Sequence, residues 1–454
     1  MIMKNIYKYT FVLIMSAIFV GCDDELDIEP RQSISGEVAL SNQQNLQALL
    51  LGIYDESGQA DSYGGELQIA IDLIGTDDEV SWFGTFAAPR QYINKSILVD
   101  NGFVAGTWAN AYESINQANL IIDNLNVVTD ADIAADLEGQ AKFLRALNYF
   151  DLVRLWGQQY NPGGNNTQLG VPLRLVGIQD FSVDLSAPRA TVQAVYDQVL
   201  LDLQDAYTLL EPSNGIFADK YSAQALRARV YLQQGDFANA RDAANDVIVN
   251  SGHSLTNTFA DAFNNDADSS ESVFAFQNTN QTGSNQFITF YASEDNGGRG
   301  GDIAINPEYV NLFTDANDVR GNFFVPSDFG DLLTAKYTSQ FANIELFRLA
   351  EMYLIRAEGN LESNTIVGDT PAGDLNTLRT RASAGPVQVP VTTESILLER
   401  QYELAFEGFL LMDLKRTGTA VGTIPAKADR LLLPIPQSEI DTNTLIEQNP
   451  GYMN

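Results

Sequence analysis

Residues 223–249 read AQALRARVYLQQGDFANARDAANDVIV, and this stretch decides the fold. Ala228 and Tyr231 stand one helical turn apart, Gly235-Asp236 interrupts the helix, and Phe237, Ala240, Ala244 and Val247 begin a second apolar face at three- and four-residue steps. The small side chains of Ala228 and Ala240 allow two antiparallel helices to approach closely. A single helical hairpin of this kind cannot cover its own apolar face, so it implies neighbours of the same kind stacked on it.

The spacing resembles the tetratricopeptide pattern, and a weaker echo runs from Ile344 to Ala382 through Ala350, Tyr353 and Ala357, with a second helix beginning near Ala372. Further helices are read at 108–125 (Trp108, Ala111, Tyr112, Ile115, Ala118, Ile122, Leu125) and from Glu138 to Trp156. Another follows Thr191, a helix-capping residue, and is closed by Pro212. The loop-rich stretches between them are 55–106, 157–190 and 252–343, and loops this long in a folded protein usually carry function. Within the last, Val273–Phe276 and Phe287–Tyr291 read as the two strands of a small hairpin, and Gly297–Gly301 as a flexible loop. The expected class is mostly α, with helix pairs forming the scaffold and a few short strands.

The N-terminus fixes the compartment. Lys4 and Lys8 precede an apolar run from Phe11 to Val20, too short to span a bilayer comfortably, which ends at Phe19-Val20-Gly21-Cys22. That ending resembles a bacterial lipobox, in which cleavage precedes the cysteine and its sulfur is lipidated; Phe19 departs from the usual Leu. Cys22 is the single cysteine of the chain, so no intramolecular disulfide is possible, and lipidation accounts for the one thiol of an exported protein. Residues 1–21 are therefore read as a lipoprotein signal peptide and 22–40 as an acidic tether. With 26 basic against 59 acidic residues and a net charge of −33, the surface repels nucleic acid and anionic lipid. Length alone suggests two or three domains.

Catalytic constellations fail one after another. His253 is the only histidine, no Gly-x-Ser-x-Gly elbow or phosphate-binding loop is present, and Cys/His zinc sites are excluded once Cys22 is lipidated. Asp77, Asp78 and Glu79 read as the caps of a turn. Glu399, Glu403 and Glu407 share one helical face and read as a solvated or salt-bridged row near Arg400. What remains is aromatic side chains in loops. Sugars present C–H faces that stack on aromatic rings, and their hydroxyls call for amides, carboxylates and guanidinium groups. Trp82, Phe83, Phe86 and Tyr92, with Gln91 and Asn94, form one candidate group; Tyr291, Asn296 and Arg299 form a second. No metal and no cofactor is expected.

Long motifs then resemble one family throughout the chain. The opening Cys22-Asp23-Asp24-Glu25-Leu26-Asp27-Ile28-Glu29-Pro30, the helix from Trp108 to Leu125, and the run Ala141 to Val153 (AKFLRALNYFDLV) are similar to those of the SusD/RagB outer-membrane lipoproteins of Bacteroidetes. So are Arg348 to Glu358, Glu399 to Gly408 with Asp413-Leu414-Lys415-Arg416, Leu433 to Ile440, and Gln448 to Tyr452. The resemblance implies one domain over 41–454, in which a right-handed scaffold of tetratricopeptide-like helix pairs carries a loop-rich ligand face. It implies capture of oligosaccharides, or alternatively peptides, for a SusC-like TonB-dependent transporter at the outer membrane. No motif aligns the ligand-contacting residues; Trp82, Phe83, Tyr92, Tyr291 and Arg299 are the candidates it leaves.

Overall fold

The computed structural model describes residues 40–452. The signal peptide, Cys22 and all of the tether but its last residue lie outside the described residues. The chain runs α1 (Gln43–Gly58), α2 (Glu66–Gly75), β1 (Val80–Trp82), α3 (Ala87–Ile93), α4 (Gly102–Asp123) and α5 (Ala131–Trp156). It continues with α6 (Val192–Leu209), α7 (Lys220–Gln234), α8 (Phe237–Asn250), β2 (Ser272–Phe276), α9 (Gln286–Tyr291), β3 (Ile303–Ile305) and α10 (Pro307–Val310). The remainder is β4 (Phe324–Pro326), β5 (Leu332–Thr334), β6 (Ile344–Arg348), α11 (Leu349–Ser363), α12 (Pro371–Arg381), α13 (Thr393–Leu404), α14 (Leu410–Thr417) and α15 (Gln437–Thr442).

Local chemistry sets the helix ends. Asp219 caps α7 in a reciprocal box with Ser222, and α7 stops at Gly235, whose φ of 72° few other residues adopt without strain. Asp236 then caps α8 by accepting from Asn239 N–H. Ala228 and Ala240 are fully buried where α7 and α8 meet, as their size requires. α8 packs in turn on α11, and α11 on α12, so the weaker echo is a second hairpin stacked on the first. α5 runs against α4 and α6 and is buried on all sides over its second half, hence its nearly unbroken apolar and paired-polar composition.

Two readings of local structure change. Val273–Phe276 is indeed strand, but Phe287–Tyr291 is helix, and β2 pairs antiparallel with β6 instead. Asn285 caps that helix by accepting from Ile288 N–H, and Phe287, Ile288, Phe290 and Tyr291 are all buried, a spacing that one helical turn satisfies and an alternating strand does not. Accordingly 344–348 is strand, and the helix begins only at Leu349. The second sheet, in the order β1-β3-β5-β4 with every pair antiparallel, joins three-residue strands from widely separated segments.

The glutamate row is salt-bridged but not solvated. Glu399, Glu403 and Glu407 are buried or nearly so and meet Arg320, Arg348, Arg379, Arg381 and Lys336, together with Glu271 and Asp318. Arg348 lies 2.7 Å from Glu271 and 3.0 Å from Glu403, Arg381 bridges the same two carboxylates, and Lys336 reaches Glu407 at 2.6 Å. Burial alone would raise the Glu403 carboxyl, but Arg381, Arg348 and Arg320 around it hold it well below the usual carboxylate range. Arg400 is not part of this row; it pairs with Asp413. Five cations and five carboxylates thus tie α13 to β6, α12 and the segment 318–336. In this way the loop-rich half is pegged to the helical half.

Candidate functional site

Three loops converge on one patch. The first follows β1, which pairs with β3 through Val80↔Ile305 and Trp82↔Ile303; beyond it Phe83 N–H donates to the Asp302 carbonyl at 2.7 Å. The chain then turns across the Trp82 ring at Gly84, where a Cβ would run into both the indole and the Asp302 carboxyl. Arg90 of α3 holds the turn by donating to the Gly84 carbonyl at 2.7 Å. In the second loop, 294–302, Gly297, Gly300 and Gly301 take φ values of 85°, 94° and 89°, so the tight path is glycine-dependent. The third is the turn between β4 and β5, where Asp328 Oδ2 accepts from Glu294 N–H at 3.2 Å. A Cβ placed on Gly300 would sit 3.4 Å from the Phe329 ring.

The result is an aromatic platform. Phe83, Phe86 and Phe329 are 61%, 42% and 82% exposed, unusual values for three phenylalanines on two of these loops. The Arg299 guanidinium lies 4.8 Å from the Phe86 ring centre and donates to Asp302 at 3.0 Å and to Thr85 Oγ1 at 3.2 Å. Burial raises the Asp302 carboxyl, and Arg299 offsets part of that shift. Beneath the platform, Trp82 meets Phe290 edge-on at 5.4 Å, and Phe86 and Phe103 close on the same ring at 5.8 and 6.2 Å. Trp82 Nε1 is buried with no hydrogen-bond partner among the described residues. The surface therefore offers flat apolar faces bordered by the Arg299 guanidinium and by the exposed acceptors Asp328 and Glu294, while the buried Asp302 carboxylate is spent on holding Arg299.

Of the residues expected from sequence, Trp82, Phe83 and Arg299 come together here. Tyr92 and Tyr291 do not: each is all but fully buried, Tyr92 near the end of α3 and Tyr291 under α9 with its hydroxyl donating to Asp72 at 3.3 Å. Sequence reasoning misses Phe329. Its signal is an aromatic inside Ser327-Asp328-Phe329-Gly330-Asp331, where turn chemistry has no use for a large apolar side chain. Glu79 accepts from Thr76 Oγ1 and Asp77 N–H at 2.8 Å, which is the turn-capping role read from the acidic triplet. Among the described residues no group of His, Cys, Asp and Glu is placed to hold a metal ion, and no helix is long and apolar enough to cross a membrane.

Comparison with known proteins follows the same lines. Residues 24–232 match the SusD-like family described as starch-binding and associating with the outer membrane, and residues 329–430 match the SusD family. SusD-like protein P2 of Formosa agariphila is 28% identical over 517 aligned residues, covering 98% of this chain and 99% of the relative. The starch-binding protein SusD of Bacteroides thetaiotaomicron is 24% identical over 451, covering 74% and 76%. Among solved structures, a putative sugar binding protein from Bacteroides vulgatus superposes with a TM-score of 0.80 at 27% identity, over 91% of this chain and 99% of that one. A SusD superfamily protein from Bacteroides thetaiotaomicron gives 0.78 at 26%, over 90% and 100%. The helix-pair scaffold, the motifs in their order and these matches from end to end establish that the chain belongs to the SusD/RagB family.

Proposed function

We propose that this protein is a surface lipoprotein that captures oligosaccharides on the Phe83–Phe86–Phe329 platform and delivers them to a SusC-like TonB-dependent transporter. The observation that carries the reading is the platform itself: the exposed rings of Phe83 and Phe329 beside Phe86, over whose ring the Arg299 guanidinium lies, with the exposed Asp328 carboxylate next to Phe329, the pairing of stacking surface and hydrogen-bonding groups that a sugar ring demands. The names of the relatives, starch-binding and sugar-binding, point the same way. Nothing in the site favours the peptide alternative. In this reading residues 1–21 are removed, Cys22 carries the lipid, 22–40 spans the distance to the membrane, and 41–454 act as one binding domain. The work done is binding and release rather than turnover.

The test is a glycan array and calorimetry on the soluble chain from Asp23 onward, beside a Phe83→Ala/Phe329→Ala variant. Binding to one glycan class, weakened at least tenfold in the variant with its unfolding midpoint unchanged, is expected. Binding that the variant retains in full would move the site elsewhere, and a folded wild-type chain that binds no glycan would overturn the reading.

A further inference from the structure

A cleft of about 240 Å³ lies between the end of α1, the turn before α7, the end of β2 and the loop 279–285. Its walls are neutral hydrogen-bonding side chains, among them Gln59, Gln277, Asn278, Ser284 and Asn285. Its apolar surface comes from Phe217 and Phe276, with Ile216 standing 49% exposed. The Phe217 ring lies 5.2 Å from Tyr54, whose hydroxyl donates to Gln140 at 2.7 Å and accepts from Ala218 N–H at 2.9 Å, so this wall is held rigidly. Asn285 is nine-tenths buried; its Oδ1 caps α9, while its Nδ2 has no partner among the described residues. Gln59 makes no side-chain hydrogen bond there either. Among the described residues the only charged one lining the cleft is Asp55, and no basic side chain does. An anion therefore has nothing to pair with, whereas a neutral ligand rich in hydroxyls finds amides to bond and an aromatic edge to rest on.

The cleft and the platform are mechanically joined. Asn285, which caps α9 at the cleft, and Phe290, near the other end of α9 under the platform, are about 8 Å apart along the axis at roughly 1.5 Å per residue. Gln340 donates to Ser284 at 2.6 Å, and its side chain fills the space beside Gly297, at the root of the loop that carries Arg299. We propose that this cleft is a second sugar subsite, which takes the continuation of a chain whose other residues lie on the platform. The preferred ligand is then an extended neutral oligosaccharide segment rather than a mono- or disaccharide. The proposal rests on the glycan reading of the platform and adds to it the length of the ligand.

The experiment uses the trimer and the heptamer of whichever glycan class binds on the array. Each is titrated into wild type, the platform variant Phe83→Ala/Phe329→Ala and a cleft variant Gln59→Ala/Ile216→Ser, which alters only side chains at the cleft surface. Wild type is expected to bind the heptamer about tenfold more tightly than the trimer. The cleft variant should lose that gain while keeping the affinity for the trimer, and the platform variant should lose both. Amide hydrogen exchange supplies an independent readout: the heptamer, and not the trimer, should slow exchange over residues 279–285 in wild type. A cleft variant that binds the heptamer as wild type does, with no protection of 279–285, overturns the subsite and leaves the platform standing. Absence of any binding on the array overturns both.

Discussion

Changing Asp72 to Asn is expected to stabilise the protein at neutral pH and to flatten the dependence of its stability on pH. Asp72 is 6% exposed on α2, where its two oxygens accept from Gly408 N–H at 3.0 Å and from the Tyr291 hydroxyl at 3.3 Å. Burial pushes its pKa from 3.8 up to about 8, outweighing those hydrogen bonds and the influence of Lys336, so at pH 7 the native carboxyl is protonated. The unfolded chain ionises near the ordinary value. A native pKa raised in this way gives its full stabilisation below about pH 4 and loses it as pH climbs to 8, at about 1.4 kcal/mol per unit. At pH 7 that loss approaches roughly 4 kcal/mol as a ceiling, and an amide, which never ionises, does not incur it. An amide matches the protonated acid, since its oxygen keeps Gly408 N–H and its nitrogen donates to the Tyr291 oxygen. Urea unfolding between pH 5 and 8.5 reads the effect: the variant's advantage should grow with pH by up to one proton's worth of slope. An Asp72→Asn chain less stable than wild type at pH 7, with the wild-type slope unchanged, would mean that Asp72 is ionised in the fold and would refute the reasoning. Because Tyr291 ends α9 and Phe290 underlies the platform, wild type should also show faster amide exchange over 286–291 above pH 8. Glu66, likewise pushed up to about 8 by burial and bonded to Gln286 at the other end of α9, acts in the same sense.

Two further substitutions test the supports of the site. Glu403→Gln leaves Arg348 and Arg381 short of a buried counter-charge and is expected to cost about 3–5 kcal/mol by urea unfolding, with glycan affinity at 25 °C nearly unchanged in the folded fraction. Gly84→Ala drives a methyl group into the Trp82 ring and the Asp302 carboxyl; a cost of about 1–3 kcal/mol and an altered near-ultraviolet circular dichroism of Trp82 are expected, with weaker glycan binding. An unperturbed spectrum would show that Trp82 does not define the shape of the platform.

The helical half is legible in the sequence because its cues are local. Alanines at the crossing of α7 and α8, Gly235 at the end of one helix and Asp236 at the start of the next all lie within the single stretch 223–249. The loop-rich half is legible only in part. A short aromatic run reads as strand from sequence, whereas the N-cap Asn285 and the burial of Phe287, Ile288, Phe290 and Tyr291 with Thr289 left partly open fit one helical turn. The spacing of Glu399, Glu403 and Glu407 suggests one helical face, but α13 ends at Leu404, so only Glu399 and Glu403 share it, and the spacing does not say what that face meets, because Arg320, Arg348 and Arg381 arrive from other elements. Residue type alone singles out Trp82, Phe83 and Arg299, which the fold brings to one patch. Tyr92 and Tyr291 are aromatic too but point inward, and only the packing of α3 and α9 distinguishes them.

The buried ion network also governs how molecules of this protein meet one another. It consumes cations and carboxylates in equal number, and many other guanidinium groups, such as those of Arg145, Arg229 and Arg356, are likewise spent on interior partners. Among the described residues most of the excess of acidic over basic side chains therefore faces solvent. Neighbouring copies repel at separations up to roughly a Debye length, about 8 Å at physiological ionic strength. Against that acidic field Arg299, 41% exposed, is one of the few guanidinium groups facing solvent. Raising the salt concentration should bring copies closer together and leave the stacking of an uncharged sugar on Phe83 and Phe329 untouched.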